Sequence, residues 1–363
     1  QSVTGPIVKS IEELKQSIIT SDRLRNFMGK YSNRRKKPLY KVRKKADSYI
    51  TEIAAKYNSS LVKFSFVIVK FFINHMFDGT AVNSQNIAEI KDMSQKGHMI
   101  FIPCHRSHID YLVLAYIFYV NNIAIPLTAA GKNLSFWPMG PIFRRSGAFF
   151  IRRTFKGAAL YSKVFAQYIY KIVEEGFNIE FFIEGTRSRT GKLLRPKVGL
   201  LSILLGAYRD GACDDLIFVP IFIGYDRVIE EGSYIYEIKG GKKKSEGFMQ
   251  LIKARRFLKK RYGRIYIRFN TPISFNNLLN NYDIPFEEMT SKEQNTLAKN
   301  FGYRISNAIN QVTVVTPHAL VASAILNCSK KVFLYDHITY YIKLYLNYLI
   351  HLGIEFTDTR SNT

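Results

Sequence analysis

The sequence predicts an α/β protein, with a mainly parallel central sheet, flanking helices, and helical segments at the N- and C-terminal ends. Three observations predict it. Short apolar runs alternate with helix-length stretches through the middle of the chain, as in β-α-β units. Each of several runs ends in a polar or glycine-containing turn. Hydrophobic residues make up 47% and aromatic residues 14% of 363, enough for a sizeable core and too many for overall disorder.

Residues 7–58 read as helical and polar, beginning with IEELKQSI. Within them, KYSNRRKKPLYKVRKK (30–45) holds nine Lys or Arg among 16 residues and no acid. Such a run is a solvated face, a mobile arm, or a contact for an anionic membrane surface; its place one helix before an apolar segment favours the membrane. That segment is LVKFSFVIVKFFINHMF (61–77). On a helix Lys63, Lys70 and Asn74 form one stripe, with Phe64, Phe66, Val67, Ile68, Phe71, Phe72 and Ile73 around the rest. It reads either as a helix lying in a membrane interface or as a core helix, not as a clean membrane span. No secretory signal is evident, and the chain opens on Gln rather than Met, as a fragment would.

From residue 98 the pattern changes. HMIFIPC (98–104), FNIEFFIE (177–184), LIFVPIFIGY (216–225) and RIYIRF (264–269) are strand candidates. Helix candidates are 111–120, 158–175, 198–209 and 247–263. Past about 290 the chain is helical again, with Thr316 and Pro317 as N-cap and first-turn residue of one helix, and an aromatic-rich helix last. The expected organisation is a basic, membrane-associating helical region at 1–80, an α/β catalytic domain at 81–314 and a helical region at 315–363.

The net charge of +25 calls for an anionic partner: nucleic acid, anionic lipid or phosphorylated small molecules. No helix-turn-helix, finger or RNP text is present, so nucleic acid is not expected. Cys104, Cys213 and Cys328 match no disulfide framework or zinc motif, which suits a reducing compartment.

Chemistry concentrates in four blocks. The first, HRSHID (105–110), follows a strand candidate. Alone, a His-x4-Asp pattern is weak: seven His and 12 Asp predict about 0.2 chance matches. Five residues apart on one helix, the two side chains would diverge by about 140°. They meet only if His105 lies in the strand-to-helix turn and Asp110 in the first helical turn. Asp110 then fixes the imidazole tautomer and leaves the other ring nitrogen to take a proton from a hydroxyl. The plainer reading is a turn histidine bonded to a cap aspartate. His108 as a metal ligand lacks companions, so no metal is expected. Cys104 reads as a core residue rather than a nucleophile, and no GxSxG elbow occurs. The other blocks are GAFFIRRTF (147–155), FFIEGTRSRTGKLLRPKVG (181–199) and VPIFIGYDRV (219–228). The third puts Glu184, Gly185, Thr186, Arg187, Ser188 and Arg189 into a turn, where backbone N–H groups and guanidinium forks suit a phosphate. Arg152 and Arg153 end another apolar run and are placed to reach the same pocket.

In order and nearly letter for letter, these blocks resemble those of the glycerolipid acyltransferase family, on its glycerol-3-phosphate branch of bacterial membranes and mitochondria. The likeness rests on HRSHIDYLVL (105–114), AAGKNLSFWPMGPIFRRSGAFFIRRTFKG (129–157), FFIEGTRSRTGKLLRPKVGLLS (181–202) and VPIFIGYDRVIEEGSY (219–234), and runs over about 90–330. It implies transfer of an acyl chain from acyl-CoA or acyl carrier protein to the sn-1 hydroxyl of glycerol 3-phosphate, giving lysophosphatidic acid. It implies His105 as base and Asp110 as its partner. Arg153, Glu184, Gly185, Thr186 and Arg187 become glycerol-phosphate contacts, and Pro220 lies near the acyl group. Arg153 is preferred to Arg152 because it matches the arginine shared with the lysophosphatidate acyltransferases. The acyl donor is a co-substrate, and no cofactor is expected. Peripheral attachment to the cytoplasmic side of the cell inner membrane follows. Backbone N–H groups near the HRSHID turn are candidates for the thioester oxyanion. The bacterial family members are considerably longer than this chain.

Rival readings differ in acceptor or in class. Within the class, the rival acceptors are dihydroxyacetone phosphate and lysophosphatidate. From another class, a basic non-catalytic module would bind membrane or nucleic acid through 30–45, and a metal hydrolase would use His105, His108 and Asp110.

Overall fold

The computed structural model describes residues 10–155, 157–241, 260–328 and 334–356. Its centre is a mostly parallel sheet made of β1 (Thr80–Val82), β2 (His98–Pro103), β3 (Leu127–Gly131), β4 (Ala148–Ile151), β5 (Ile179–Glu180), β6 (Leu216–Tyr225), β7 (Ile265–Phe269) and β8 (Ile273–Ser274). Strand order is β1-β7-β6-β2-β5-β3-β4, with β8 pairing against β6. Neighbours β6–β2, β2–β5, β5–β3, β3–β4 and β1–β7 run parallel, and β7 and β8 run antiparallel to β6. β2 therefore lies in the middle of the sheet. Its MIFIP stretch is buried throughout, as a strand covered on both faces requires. Parallel pairing needs crossovers, supplied by α6 (Asp110–Val120), α8 (Ala159–Glu174) and α9 (Gly199–Arg209), while α5 (Ser84–Met93) and α7 (Met139–Arg145) lead into β2 and β4.

Pro220 occupies an interior strand, where a missing N–H is normally costly. β8 pairs Ile217 and Phe218, and β7 pairs from Ile221 onward, so Pro220 falls in the gap between the two partners. Its carbonyl accepts from the Asn270 N–H in the turn joining them. The position costs no ladder bond on that side.

Three N-terminal helices, α1 (Ile11–Ile19), α2 (Asp22–Arg35) and α3 (Leu39–Ile53), share the hydrophobic core of the sheet through Ile18, Leu24, Met28, Val42, Ala46 and Ile50. A capping box of Ser10 and Glu13 starts α1. The basic run is not an arm. It forms the end of α2, a left-handed turn at Lys36 and the start of α3, with all nine basic side chains exposed.

α4 (Ser59–Met76) divides its faces. Val62, Phe66, Ile73 and Met76 are buried, and Phe66 stacks on Tyr119 of α6 at 4.2 Å between ring centres. Val67, Ile68 and Phe71 face outward at 68%, 42% and 62% exposure, beside exposed Lys63, Lys70 and Asn74. The helix is long and apolar enough to cross a membrane by length and composition, with one face spent on the protein.

The sheet and most predicted elements stand where the sequence puts them; β6 matches 216–225 residue for residue. The helix expected at 247–263 falls mostly outside the described residues. β5 is shorter than expected, two residues against eight, because the chain leaves the sheet at Phe181 to form a turn facing β2. β1 and β8 escape the sequence reading because three and two residues are too few to establish a period, and β3 because LTAAG carries only one large apolar side chain. The helix Pro317–Asn327 begins as expected, the Thr316 hydroxyl accepting from the Ala319 N–H. The helix Tyr335–His351 has no buried residue and exposes Tyr335, Tyr340 and Tyr348.

Candidate active site

His105 and Asp110 meet at the C-terminal end of β2, where parallel sheets place their ligands. His105 lies in the turn after Pro103, and Asp110 is the first residue of α6. Nδ1 of His105 is 2.9 Å from Oδ2 of Asp110. That oxygen also accepts from the N–H groups of Arg106 (2.7 Å) and Ser107 (2.9 Å). The other oxygen accepts from the Tyr225 hydroxyl at 2.6 Å. Asp110 is 0% exposed, so four donors replace the water it has lost. A carboxylate facing Nδ1 places the proton there, and Nε2 then carries the lone pair. Among the described residues Nε2 has no partner. The His105 ring is further fixed by stacking on Phe182, 4.1 Å between ring centres.

Glu184 joins the third block to the first. One oxygen accepts from the His105 N–H and the other from the Leu194 N–H, both at 2.8 Å. The Ser188 N–H donates to the His105 carbonyl at 2.9 Å. Both Glu184 oxygens are thus committed to backbone, which makes it a clasp between segments. Burial pushes its carboxyl above the ordinary value, partly offset by these two N–H donors and by Arg106. Gly185 follows with φ +64°, a conformation that favours glycine. Gly185 and Thr186 are exposed, and the Thr186 N–H has no partner among the described residues. The turn therefore presents a backbone donor beside two arginines.

Arg187 is buried. Its Nη1 donates to the Tyr234 hydroxyl at 2.8 Å and lies 3.4 Å from Oε1 of Glu230. Tyr234 in turn donates to the Arg106 carbonyl at 2.9 Å. Glu230 accepts from the Ser107 hydroxyl (2.8 Å) and the His108 N–H (2.7 Å). Burial pushes the Glu230 carboxyl up, and the His108 N–H, Arg187 and Ser107 pull it back. Arg106 is buried as well, and its Nη1 has no partner among the described residues. Arg189 is held by Glu237 at 2.6 Å.

Arg152 and Arg153 part company. Arg152 forms a two-pronged pair with Glu52 of α3, at 2.6 and 2.8 Å, and lies over the rings of Tyr49 and Tyr161. It ties β4 to the N-terminal helices. Arg153 is exposed at the end of β4, with no partner among the described residues. Pro220 is buried in register with Ile102, three residues below His105. The Cys104 thiol is buried, bonded to the backbone of Ile223, and pushed up to about 11 by burial, which fits the core reading.

One expectation is corrected. The HRSHID turn does not offer oxyanion donors: the N–H groups of His105, Arg106, Ser107 and His108 are spent on Glu184, Asp110 and Glu230, and that of Ile109 faces the Ser107 hydroxyl at 3.4 Å. The buried acids consume the donors that build the site. Sequence reasoning also passed over Tyr225 of the fourth block and Glu230 and Tyr234 of its continuation to residue 234. Glu230 and Tyr234 stand one helical turn apart while Tyr225 ends β6, so no single period joins the three, and only the fold brings them to the HRSHID turn. It passed over Glu180 too, which is 1% exposed, with one carboxyl oxygen lacking a partner among the described residues. Burial, then the Asp110 charge, pushes its carboxyl well above the ordinary value.

Residues 81–224 match the family model described as Acyltransferase, and 234–363 match the Glycerol-3-phosphate acyltransferase C-terminal region. A glycerol-3-phosphate acyltransferase of Ectopseudomonas mendocina is 36% identical over 335 residues, 91% of this chain and 40% of that protein. Those of Pseudomonas putida and Aeromonas hydrophila are 34% and 35% identical over 95% and 96% of this chain, and 42% and 44% of theirs. The chain thus spans about two fifths of the length of the curated relatives it matches. A 1-acyl-sn-glycerophosphate acyltransferase structure from Thermotoga maritima aligns with TM-score 0.35 and 17% identity, covering 68% of this chain and 78% of that one. With two adjoining family models and full-chain likeness to proteins of one name, this chain belongs to the glycerol-3-phosphate acyltransferase branch of the glycerolipid acyltransferases.

Proposed function

We propose that the chain transfers a fatty acyl group from a thioester, acyl-CoA or acyl carrier protein, to the sn-1 hydroxyl of glycerol 3-phosphate. The observation that carries this reading is the oriented His105, with Nδ1 on a buried carboxylate and Nε2 unpartnered at the mouth of the sheet. Nε2 takes the proton of the acceptor hydroxyl as its oxygen attacks the thioester carbonyl. The tetrahedral intermediate collapses, the C–S bond breaks, and the proton on His105 passes to the leaving thiolate. The products are lysophosphatidic acid and free thiol. Asp110 stabilises the imidazolium between the two transfers.

The phosphate of the acceptor is assigned to the turn of Gly185, Thr186 and Arg187, with Arg153 reaching it from β4. A left-handed glycine, a Thr186 N–H without a partner among the described residues and the exposed Arg153 support that assignment, with the buried Arg187 charge beneath the turn. Glu184 acts there by holding the turn against His105. Pro220 is kept as part of the wall toward the acyl chain.

Attachment to an anionic membrane, peripherally and on the cytoplasmic side of the inner membrane, is supported by the nine exposed basic residues of α2 and α3. The exposed Val67, Ile68 and Phe71 of α4, flanked by lysines, add an apolar contact. The test is product identification by mass spectrometry, with glycerol 3-phosphate, dihydroxyacetone phosphate and lysophosphatidate offered as competing acceptors. Lysophosphatidic acid as main product supports the reading; preference for either other acceptor overturns its substrate assignment.

A further inference from the structure

A cavity of about 350 Å³ opens between α2, α8, α9 and the helix Ser291–Gln311, and none of its lining residues belongs to the His105 site. We propose that it is a second binding site, for a small phosphorylated organic anion.

The first observation is Gln167 of α8, 6% exposed and lining the cavity. Its amide makes no hydrogen bond to any described residue, and neither amide atom is sealed from the cavity. An amide held this deeply yet reachable from the cavity offers its N–H donors to the acceptor oxygens of a ligand at little ordering cost.

The second observation is charge. Three cations, Arg23, Lys163 and Arg209, share the wall with one carboxylate, Asp210. Arg23 and Arg209 both contact Asp210, at 2.5 and 2.9 Å. Lys163 makes no ion pair with a described residue and stands one turn before Gln167 on α8. The two arginine forks are held by Asp210 and Gln294, and the remaining charge of two, with the Lys163 ammonium outside any ion pair among the described residues, matches a phosphate monoester. The hydroxyl of Ser202, also unpartnered among the described residues, adds a further donor.

The third observation is room. A Cβ added at Gly206 of α9 meets nothing within 4 Å, so this glycine widens the cavity rather than packing a neighbour. The volume lies in the range of small-molecule sites and exceeds what inorganic phosphate alone needs.

Calorimetric titration with inorganic phosphate, AMP and glucose 6-phosphate tests the proposal; none of the three is an acyl acceptor of the proposed reaction. At least one monoester should bind saturably, one per chain. Lys163→Ala should weaken it about tenfold or more, Gly206→Leu should abolish it, and Arg187→Ala should leave it unchanged. Circular dichroism melting checks that the variants are folded, and Gln167→Met replaces Gly206→Leu if the latter is not. No saturable binding of any probe at millimolar concentration overturns the proposal. So does binding that survives Lys163→Ala and is lost in Arg187→Ala, which would place the anion in the His105 site.

Discussion

Asp110→Asn removes one charge and almost no volume at the point on which the proposed base depends. Asparagine keeps one oxygen, so the N–H groups of Arg106 and Ser107 retain an acceptor. The amide nitrogen then faces the Tyr225 hydroxyl, which turns to accept. All four bonds to the carboxylate lose their ionised acceptor, a stability loss of about 2–4 kcal/mol. The effect on turnover is larger. At 2.9 Å and an effective dielectric near 20, the carboxylate and the imidazolium attract by roughly 6 kcal/mol. The amide dipole recovers part of this, which leaves about 3–5 kcal/mol missing from the transition state, or about 10²–10⁴ in kcat. The KM for glycerol 3-phosphate should hardly move, because Asp110 touches His105 rather than the acceptor. Steady-state thiol release at saturating acceptor, with a melting curve beside it, makes the measurement. A folded Asp110→Asn protein within about threefold of wild-type kcat would refute the reasoning.

Three other outcomes are expected. Arg187→Ala should raise the KM for glycerol 3-phosphate by about tenfold or more and leave the donor KM nearly unchanged; a shift in the donor KM alone contradicts the phosphate assignment. It should also lower the melting temperature, because Glu230 loses its cation in a buried setting. Glu180→Gln should stabilise the protein increasingly as pH rises. The folded carboxyl holds its proton above the unfolded value of 4.5, so the native state binds more protons and wild-type stability falls with pH from there upward, by at most about 1.4 kcal/mol per unit. Melting temperatures that stay parallel from pH 4.5 to 8 would show Glu180 to be solvated or paired. Changing Lys36, Lys37, Lys44 and Lys45 to Gln should weaken binding to anionic vesicles by about 10²-fold or more at low salt and far less at high salt. Sedimentation showing equal binding at both salts would contradict the electrostatic attachment.

What the sequence makes legible is local. The apolar runs of β2, β6 and β7 are long enough to carry their own period, and the motif spacing puts His105 in a turn and Asp110 on a helix start. Less legible is whatever depends on distant chain meeting in space. Glu184 bonds His105 across 79 residues, and Glu230 reaches His108 across 122. No periodicity announces such contacts. They also explain why the oxyanion expectation failed: a turn rich in N–H groups looks available until the acids that occupy them are placed. Arg152 and Arg153 are adjacent in sequence and equivalent in composition, yet Glu52 on α3 captures only the first. The basic run 30–45 is ambiguous as sequence because exposure decides its meaning, and exposure comes from the buried Val42, Ala46 and Ile50 that anchor α3.

The most direct test of the central claim is thiol release from palmitoyl-CoA and from palmitoyl carrier protein, with and without glycerol 3-phosphate, in wild type and His105→Ala. Release from at least one donor should require the acceptor and vanish in a folded His105→Ala protein. Release without acceptor, or undiminished in His105→Ala, would contradict a histidine that deprotonates the glycerol-phosphate hydroxyl.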